Sequence, residues 1–290
     1  MISVIIPTYN RRSFLAKAVD SVRRQTVRDW ELIVVDDGSQ DGSADWVDSL
    51  KDERIRCLRQ PNRGVSAARN RALKEASRPW IALLDSDDRW RPDKLRRQME
   101  YHARHPHTRV LQSEEIWIRN GRRVNPKKIH RKYDGWIYRR CLPLCVVSPS
   151  AVMVHCSVFE DVGLFREDFP VCEDYELWLR IACRYPIRLL EEPLTVKYGG
   201  HEDQLSRSRW GMDRFRLKAL RERLASGDLS PQAALWTARE VVRKAEILAQ
   251  GFDNNQKPQE ADRYRQIARR TQSDFLGRWT GAKQGDERHA

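Results

Sequence analysis

The sequence predicts an α/β protein: a mostly parallel sheet flanked by helices, followed by a C-terminal α-helical appendage. Three observations carry this. Short β-branched runs alternate with helical spacings over roughly the first hundred residues, the pattern of a sheet covered on both faces. The first, second and fourth of these runs stop in polar clusters, at the strand ends where ligands of such sheets bind. After about residue 205 the alternation gives way to three helical patterns.

Taken in order, Ile2–Pro7 is a buried strand that stops sharply at its proline. From Ser13 to Gln25 the residues Phe14, Leu15, Ala18, Val19 and Val22 recur at helical spacing, with Ser13 a candidate N-cap. Trp30–Val35 is a second buried strand, ending in Asp36-Asp37-Gly38-Ser39. A helix over Asp45–Leu50, a strand over Ile55–Leu58, an alanine-rich helix over Val65–Ala76 and a strand over Trp80–Leu84 follow. The last of these runs into Asp85-Ser86-Asp87-Asp88. Pro92–Arg104 reads as a helix with Pro92 in its first turn. Val110–Arg119 reads as a strand closed by an Asn120-Gly121 turn. Glu173–Tyr185 is helical, with Leu177, Ile181 and Ala182 on one face. The later patterns lie near 210–226, 230–250 and 258–277, with Ser230-Pro231 a start signal and Gly251 a stop signal. Two domains result, 1–205 and 206–290.

Composition limits the function classes. The chain has 290 residues, 40% of them hydrophobic, enough for a sizeable core. No apolar run approaches the roughly 20 residues that cross a bilayer, and the first strand begins almost at Met1, leaving no room for a secretory signal. The expectation is a cytoplasmic protein. The six cysteines form no Cys-x-x-Cys pair, so reduced, mostly buried thiols are expected. A formal net charge of +13 favours anionic partners: nucleic acid, phosphorylated sugars or an anionic membrane.

The polar clusters carry the chemistry. Three carboxylates at the end of a buried strand are costly without a cation or water. In an extended segment Asp85 and Asp87 point the same way; one can face a ribose while the other holds Mn²⁺ or Mg²⁺. An Asp-x-Asp alone is equally a polar loop. Asp36 can accept from a base-ring N–H, or stand in a solvated turn. Tyr9 can stack on a base, or is equally a rim aromatic. Arg69 lies on a small-residue helix, as a cation for phosphate or base oxygens or as a surface arginine. Glu173-Asp174 opens a helix, which suits an N-cap and equally an ionised base acting on a sugar hydroxyl. His201 follows Gly199-Gly200 on a loop.

As an ordered set these segments resemble the family 2 glycosyltransferases of GT-A fold. The resemblance rests on Val4-Ile5-Ile6-Pro7-Thr8-Tyr9-Asn10, Gln25-Thr26, Glu31–Ser39, Asn62–Asn70, Asp85–Asp88, Glu173–Arg180 and His201, and covers about the first 205 residues. It implies that Pro7, Thr8, Tyr9, Asp36 and Arg69 hold the nucleotide of a sugar-nucleotide donor, most often UDP. It implies Asp85, with Ser86, on the ribose side, Asp87 and His201 on the metal, and Asp174 as the base of an inverting displacement. Where relatives often carry a tyrosine-arginine pair, this chain has Gly199-Gly200 before His201. The implied partners are the donor and a saccharide or lipid-linked acceptor, in cell-surface polysaccharide or glycolipid synthesis, without nucleic acid.

Two features of the appendage stand out. Ala234, Ala238, Val241, Ala245 and Leu248 form an apolar stripe. Arg207, Arg209, Arg214, Arg216, Lys218, Arg221 and Arg223 form a basic stretch: a solvated face, or a peripheral contact with anionic lipid at the inner face of the membrane. Trp117, Trp136 and Tyr138 are candidate sugar platforms or core residues. A sugar-nucleotide-forming nucleotidyltransferase needs a glycine-rich N-terminal signature, and a dinucleotide oxidoreductase a Gly-x-Gly-x-x-Gly turn; neither is present. A non-catalytic sugar-nucleotide-binding module stays open as the alternative, and a nucleic-acid binder leaves the ordered carboxylates unexplained.

Overall fold

The computed structural model describes residues 1–200 and 211–276. The chain divides into two compact units, Met1–Trp210 and Gly211–Ala290. In the first unit the order is β1 (Ile2–Thr8), α1 (Arg12–Arg23), β2 (Trp30–Asp36), α2 (Ser43–Asp48), β3 (Ile55–Arg59), α3 (Val65–Glu75), β4 (Trp80–Leu83), β5 (Arg89–Trp90) and α4 (Lys94–Arg104). Then come β6 (Val110–Arg119), β7 (Arg122–Val124), α5 (Tyr138–Cys141), β8 (Val152–His155), α6 (Cys156–Val162), α7 (Glu173–Ala182) and β9 (Ile187–Gly199).

The strands form one sheet of order β3-β2-β1-β4-β8-β6-β9-β5, with β7 paired to β6. β3, β2, β1 and β4 are parallel to one another. β8 runs antiparallel to both β4 and β6, and β9 is parallel to β6. The strands that lie parallel in the N-terminal half, together with β6 and β9, therefore end at the same edge. All seven residues of β1 are buried, as a central strand with both faces covered requires. Its apolar side chains join Leu15, Ala18, Val19 and Val22 of α1 in one core.

Local chemistry departs from the sequence expectations at several ends. Ser13 does not cap α1. The cap position is Arg11, and the Asp41 carboxylate accepts the Arg12 amide at 2.8 Å instead. α4 begins at Lys94 rather than Pro92, whose carbonyl accepts from the Thr26 amide. Asn120 (φ 49°) and Gly121 (φ 74°) both adopt the left-handed region, the pairing that closes the two-residue β6–β7 hairpin. β9 crosses Glu191-Glu192-Pro193 through register shifts against Ser113, Glu114 and Glu115. A bulge is where a strand tolerates proline.

The second unit contains α8 (Met212–Ala225), α9 (Pro231–Asn254) and α10 (Pro258–Thr271). Ser230 caps α9 by accepting the Ala233 amide. Gly251 does not stop α9, which continues to Asn254 because Phe252 buries against Ala249 and Ala261 and stacks on Tyr264 at 5.3 Å. The buried Lys244 ammonium pairs with Asp213 at 2.9 Å and with Glu240 at 3.5 Å. Arg216 and Arg223 of the basic stretch are paired within the unit, with Asp213 and Asp228. Arg207 and Arg209 lie outside the described residues.

Candidate functional site

The three strand-end clusters do meet. Register sets Thr8 directly against Asp36, and the Leu84 amide donates to the Ile5 carbonyl at 2.9 Å. The ends of β2, β1 and β4 thus stand side by side, with α3 and α7 contributing from behind.

At the β2 end the two aspartates have different work. Asp36 is buried; its Oδ1 accepts the Gly38 and Ser39 amides at 3.0 and 2.7 Å. This turn needs Gly38: its φ is +88°, and a Cβ there would sit 3.0 Å from the Asn62 amide. The Oδ2 of Asp36 is buried and has no hydrogen-bond partner among the described residues, and the same holds for the Oγ1 of Thr8 beside it. Asp37 is fully used in structure, accepting from Gln60, the Arg63 amide and the Gly64 amide. It ties the loop before α3 to the sheet. Pro7 is buried inside β1, whereas Tyr9 stands exposed at the rim. Asn10 braces that rim, its amide donating to Ser39 and its side chain accepting from Gln40.

Arg69 is not a surface arginine. Only 3% exposed on α3, it donates to Asp85 Oδ1 and to Glu173 Oε1, both at 2.8 Å. Burial works against its charge, but the two carboxylates outweigh that and hold it above the ordinary arginine range. Its Nε is buried without a partner among the described residues, as is the Oγ of Ser66 one turn earlier. Burial, with the neighbouring Asp174, raises the Glu173 pKa to about 7 against the pull of Arg69.

The Asp85–Asp88 loop is divided more finely than the sequence implies. The Asp85 amide donates to Ser150 and its carboxylate meets Arg69. Ser86 is buried. Asp87 pairs with Arg11 at 2.9 Å. Asp88 Oδ1 accepts the Tyr198 amide of β9 at 3.0 Å. Burial holds Asp88 well above ordinary carboxylate values; Asp87 and Asp85 add to this, and Lys197 opposes it. Burial also disfavours charge on Lys197, yet Glu115, Asp88, Asp85 and Asp87 together keep it above the usual lysine range. Arg69, Arg11 and Lys197 are therefore the cations held against this loop. The signal for Lys197 was faint: one lysine in an alternating Val-Lys-Tyr segment of a strand interrupted by proline.

Asp174 sits half-buried in the first turn of α7. Cys172 in the left-handed region (φ 63°) takes the cap position, so neither Glu173 nor Asp174 caps the helix. Asp174 Oδ1 accepts the Tyr175 amide at 2.7 Å, and Oδ2 accepts the Cys145 thiol at 3.3 Å. Among the described residues no group of three or more His, Cys, Asp or Glu side chains converges as a metal cage. All six cysteines are free thiols. His201 lies outside the described residues. Of the candidate platforms, Tyr138 is buried, Trp117 is half-buried with its indole N–H on Glu115, and Trp136 is exposed.

The family model for glycosyl transferase family 2 matches residues 3–163, more than half of the chain. An uncharacterized glycosyltransferase of Rickettsia felis is 32% identical over 196 residues, covering 67% of this chain and 32% of its own length. The chain thus spans about a third of that relative. A protein of Escherichia coli, UDP-Glc:alpha-D-GlcNAc-diphosphoundecaprenol beta-1,3-glucosyltransferase WfgD, is 34% identical over 185 residues, covering 62% of this chain and 69% of its own. Among solved structures, S. aureus TarS residues 1–349 in complex with UDP-GlcNAc superposes with a TM-score of 0.73 at 19% identity, covering 96% of this chain and 84% of that one. That likeness carries the GT-A fold.

Proposed function

The chain belongs to glycosyl transferase family 2, and we propose that it moves a sugar from a UDP-linked donor to a hydroxyl of a saccharide or lipid-linked acceptor, inverting the anomeric centre, in cell-surface polysaccharide or glycolipid synthesis. The observation that carries this is Asp36. A buried carboxylate oxygen without a partner is costly, and here it lies beside a Thr8 hydroxyl that likewise has no partner among the described residues, at the ligand edge of the sheet. A uracil ring N–H supplies the missing donor, with Tyr9 at the rim as a stacking face.

Arg69 and Asp85 then hold the nucleotide side, Asp85 toward the ribose. The carboxylates of Asp85 and Asp87 are hard oxygen donors, the set that suits Mn²⁺ or Mg²⁺; Asp87 would hold the ion, with His201 the second expected ligand. When bound, such an ion supplies charge neutralisation to the diphosphate leaving group. Asp174 takes the proton from the acceptor hydroxyl as that oxygen attacks the anomeric carbon. Removal of this base is expected to cost roughly 10²–10⁴-fold. The printed name of the E. coli relative, with its diphosphoundecaprenol acceptor, supports a lipid-linked acceptor. Among the described residues no helix is long and apolar enough to cross a membrane, in keeping with a peripheral enzyme at the inner membrane face.

The test is hydrolysis of UDP-sugars with Mn²⁺ present. Release of UDP from at least one sugar, lost in Asp174→Asn and Asp87→Ala, is expected. Tight UDP binding without any release across a panel of sugars would instead favour the non-catalytic binding module.

A further inference from the structure

One segment of the first unit is strongly basic. Between Arg119 and Arg140 nine lysines and arginines stand against a single acidic residue, Asp134. That acid is itself paired with Arg188 at 3.1 Å. Of the nine cations only Lys132 is buried. The same stretch holds the two most exposed large apolar side chains described, Ile129 (63%) and Trp136 (69%). Both stand exposed within the same strongly basic segment, an apolar and cationic combination.

The stretch is anchored, not loose. Lys132 turns inward and pairs with Glu115 at 3.3 Å, His130 packs on Trp117 at 5.1 Å between ring centroids, and the Tyr133 carbonyl accepts from Gln112 at 2.9 Å. Ile137 and Tyr138 are buried directly after Trp136. Inward residues thus alternate with outward ones, leaving Ile129 and Trp136 exposed in the same anchored segment as the exposed Lys127 and Lys128.

Its place in the fold is also informative. β6 runs parallel to β9 to the sheet edge that bears the site, and Arg119 there pairs with Arg122 across the hairpin. Tyr198, opposite Ile118, is the residue whose amide holds Asp88.

We propose that the β6–β7 hairpin and the segment after it, through Trp136, form a docking surface for an anionic phospholipid bilayer. Trp136 and Ile129 enter the headgroup boundary, while Arg122, Arg123, Lys127 and Lys128 face the anionic headgroups. Indole and aliphatic side chains suit that boundary, and the charge is complementary to it. Nucleic acid offers the same phosphates, but a protruding isoleucine has no counterpart on a base ladder. The surface stands on its own exposure and charge. Its use in catalysis rests on the lipid-linked acceptor proposed above, in which case it brings the carboxylate edge to the membrane.

Co-sedimentation of the full chain with phosphatidylcholine vesicles, with and without phosphatidylglycerol, tests this independently of any transfer activity. Binding is expected only with the anionic lipid and is expected to weaken with salt. Lys127→Gln with Lys128→Gln should weaken it roughly 30-fold, from about one unit charge of attraction lost at each position. Ile129→Ser with Trp136→Ser should weaken it too, whereas Arg214→Gln with Arg221→Gln in α8 should leave it unchanged. Donor hydrolysis in solution should be unaffected by the Lys127 and Lys128 changes, which separates this outcome from failure of the enzymatic reading. Equal binding to both vesicle types, indifference to the hairpin variants, or tighter binding to single-stranded DNA at the same salt would each overturn the proposal.

Discussion

The Cys145 thiol shares its one proton between Oδ2 of Asp174 at 3.3 Å and the Val147 carbonyl at 3.2 Å, while Oδ1 of Asp174 accepts the Tyr175 amide. Burial, then the neighbouring Asp174, holds the thiol well above its usual pKa, so it stays a donor through neutral pH. The carboxylate is thereby contacted at both oxygens. Glu173, Arg69 beyond it and Lys197 are the charged groups around this pair. Cys145→Ala is expected to lower kcat about fivefold, from loss of one modest hydrogen bond. Cys145→Ser keeps a donor and should keep kcat near that of the parent. An unchanged kcat in the alanine variant would remove the thiol from the reaction, and transfer surviving in Asp174→Asn would remove the base.

Asp36 gives a prediction about the base. Its Oδ1 must remain an acceptor for the Gly38 and Ser39 amides. An asparagine there has to place its carbonyl in that position and turn its NH₂ into the site. A uracil N–H then faces a donor, whereas the corresponding cytosine nitrogen is an acceptor. Asp36→Asn should therefore weaken UDP roughly ten- to hundredfold while CDP gains relative to UDP. Calorimetric titration of both nucleotides checks it; parallel loss of the two would contradict the assignment.

How far the sequence reaches can be seen in particular residues. β1, β2 and β4 were legible because central strands of a covered sheet are unbroken apolar runs, and Asp36 and Asp85 follow as their termini. β8 was not, because Val152-Met153-Val154 is too short a run to show a period and its antiparallel sense has no local signature. β9 was hidden by its proline bulge, and Lys197 with it. The split between Asp36 and Asp37 was equally invisible: both follow the same strand, and only the Gln60–Gly64 loop distinguishes them. Arg69 was legible as a cation, but its carboxylate partners depend on which elements pack together.

Arg69 bridges Asp85 and Glu173 from a buried position, which gives it a structural role beside its proposed nucleotide contact. Breaking a buried pair by removing one partner costs about 3–5 kcal/mol. Arg69→Met is expected near the lower figure, because Glu173, already raised to about 7, takes up a proton once the guanidinium is gone. Adding Glu173→Gln should recover much of that stability without recovering donor binding. Urea unfolding of the single and double variants measures the coupling. Strictly additive losses would show that the pair does not act as described.

Glu115 supplies the pH-dependent term. It is 6% exposed, paired with Lys132 at 3.3 Å, and accepts the Trp117 indole N–H at 2.9 Å. Burial alone would raise its pKa, but Lys132 and Lys197 outweigh burial and bring it from 4.5 down to about 2. A carboxylate whose folded pKa is depressed contributes stability that is fully present above its unfolded pKa. That contribution is lost as pH falls through the folded value, here the window from about 4.5 to about 2. Two and a half pKa units correspond to about 3 kcal/mol. Glu115→Gln should therefore destabilise the protein by about that amount at neutral pH. The gap between variant and parent should narrow steadily from about pH 4.5 toward pH 2, as the parent protonates the same group. Chemical denaturation at a series of pH values reads this directly, and a gap independent of pH would mean that Glu115 acts through packing and not through its charge.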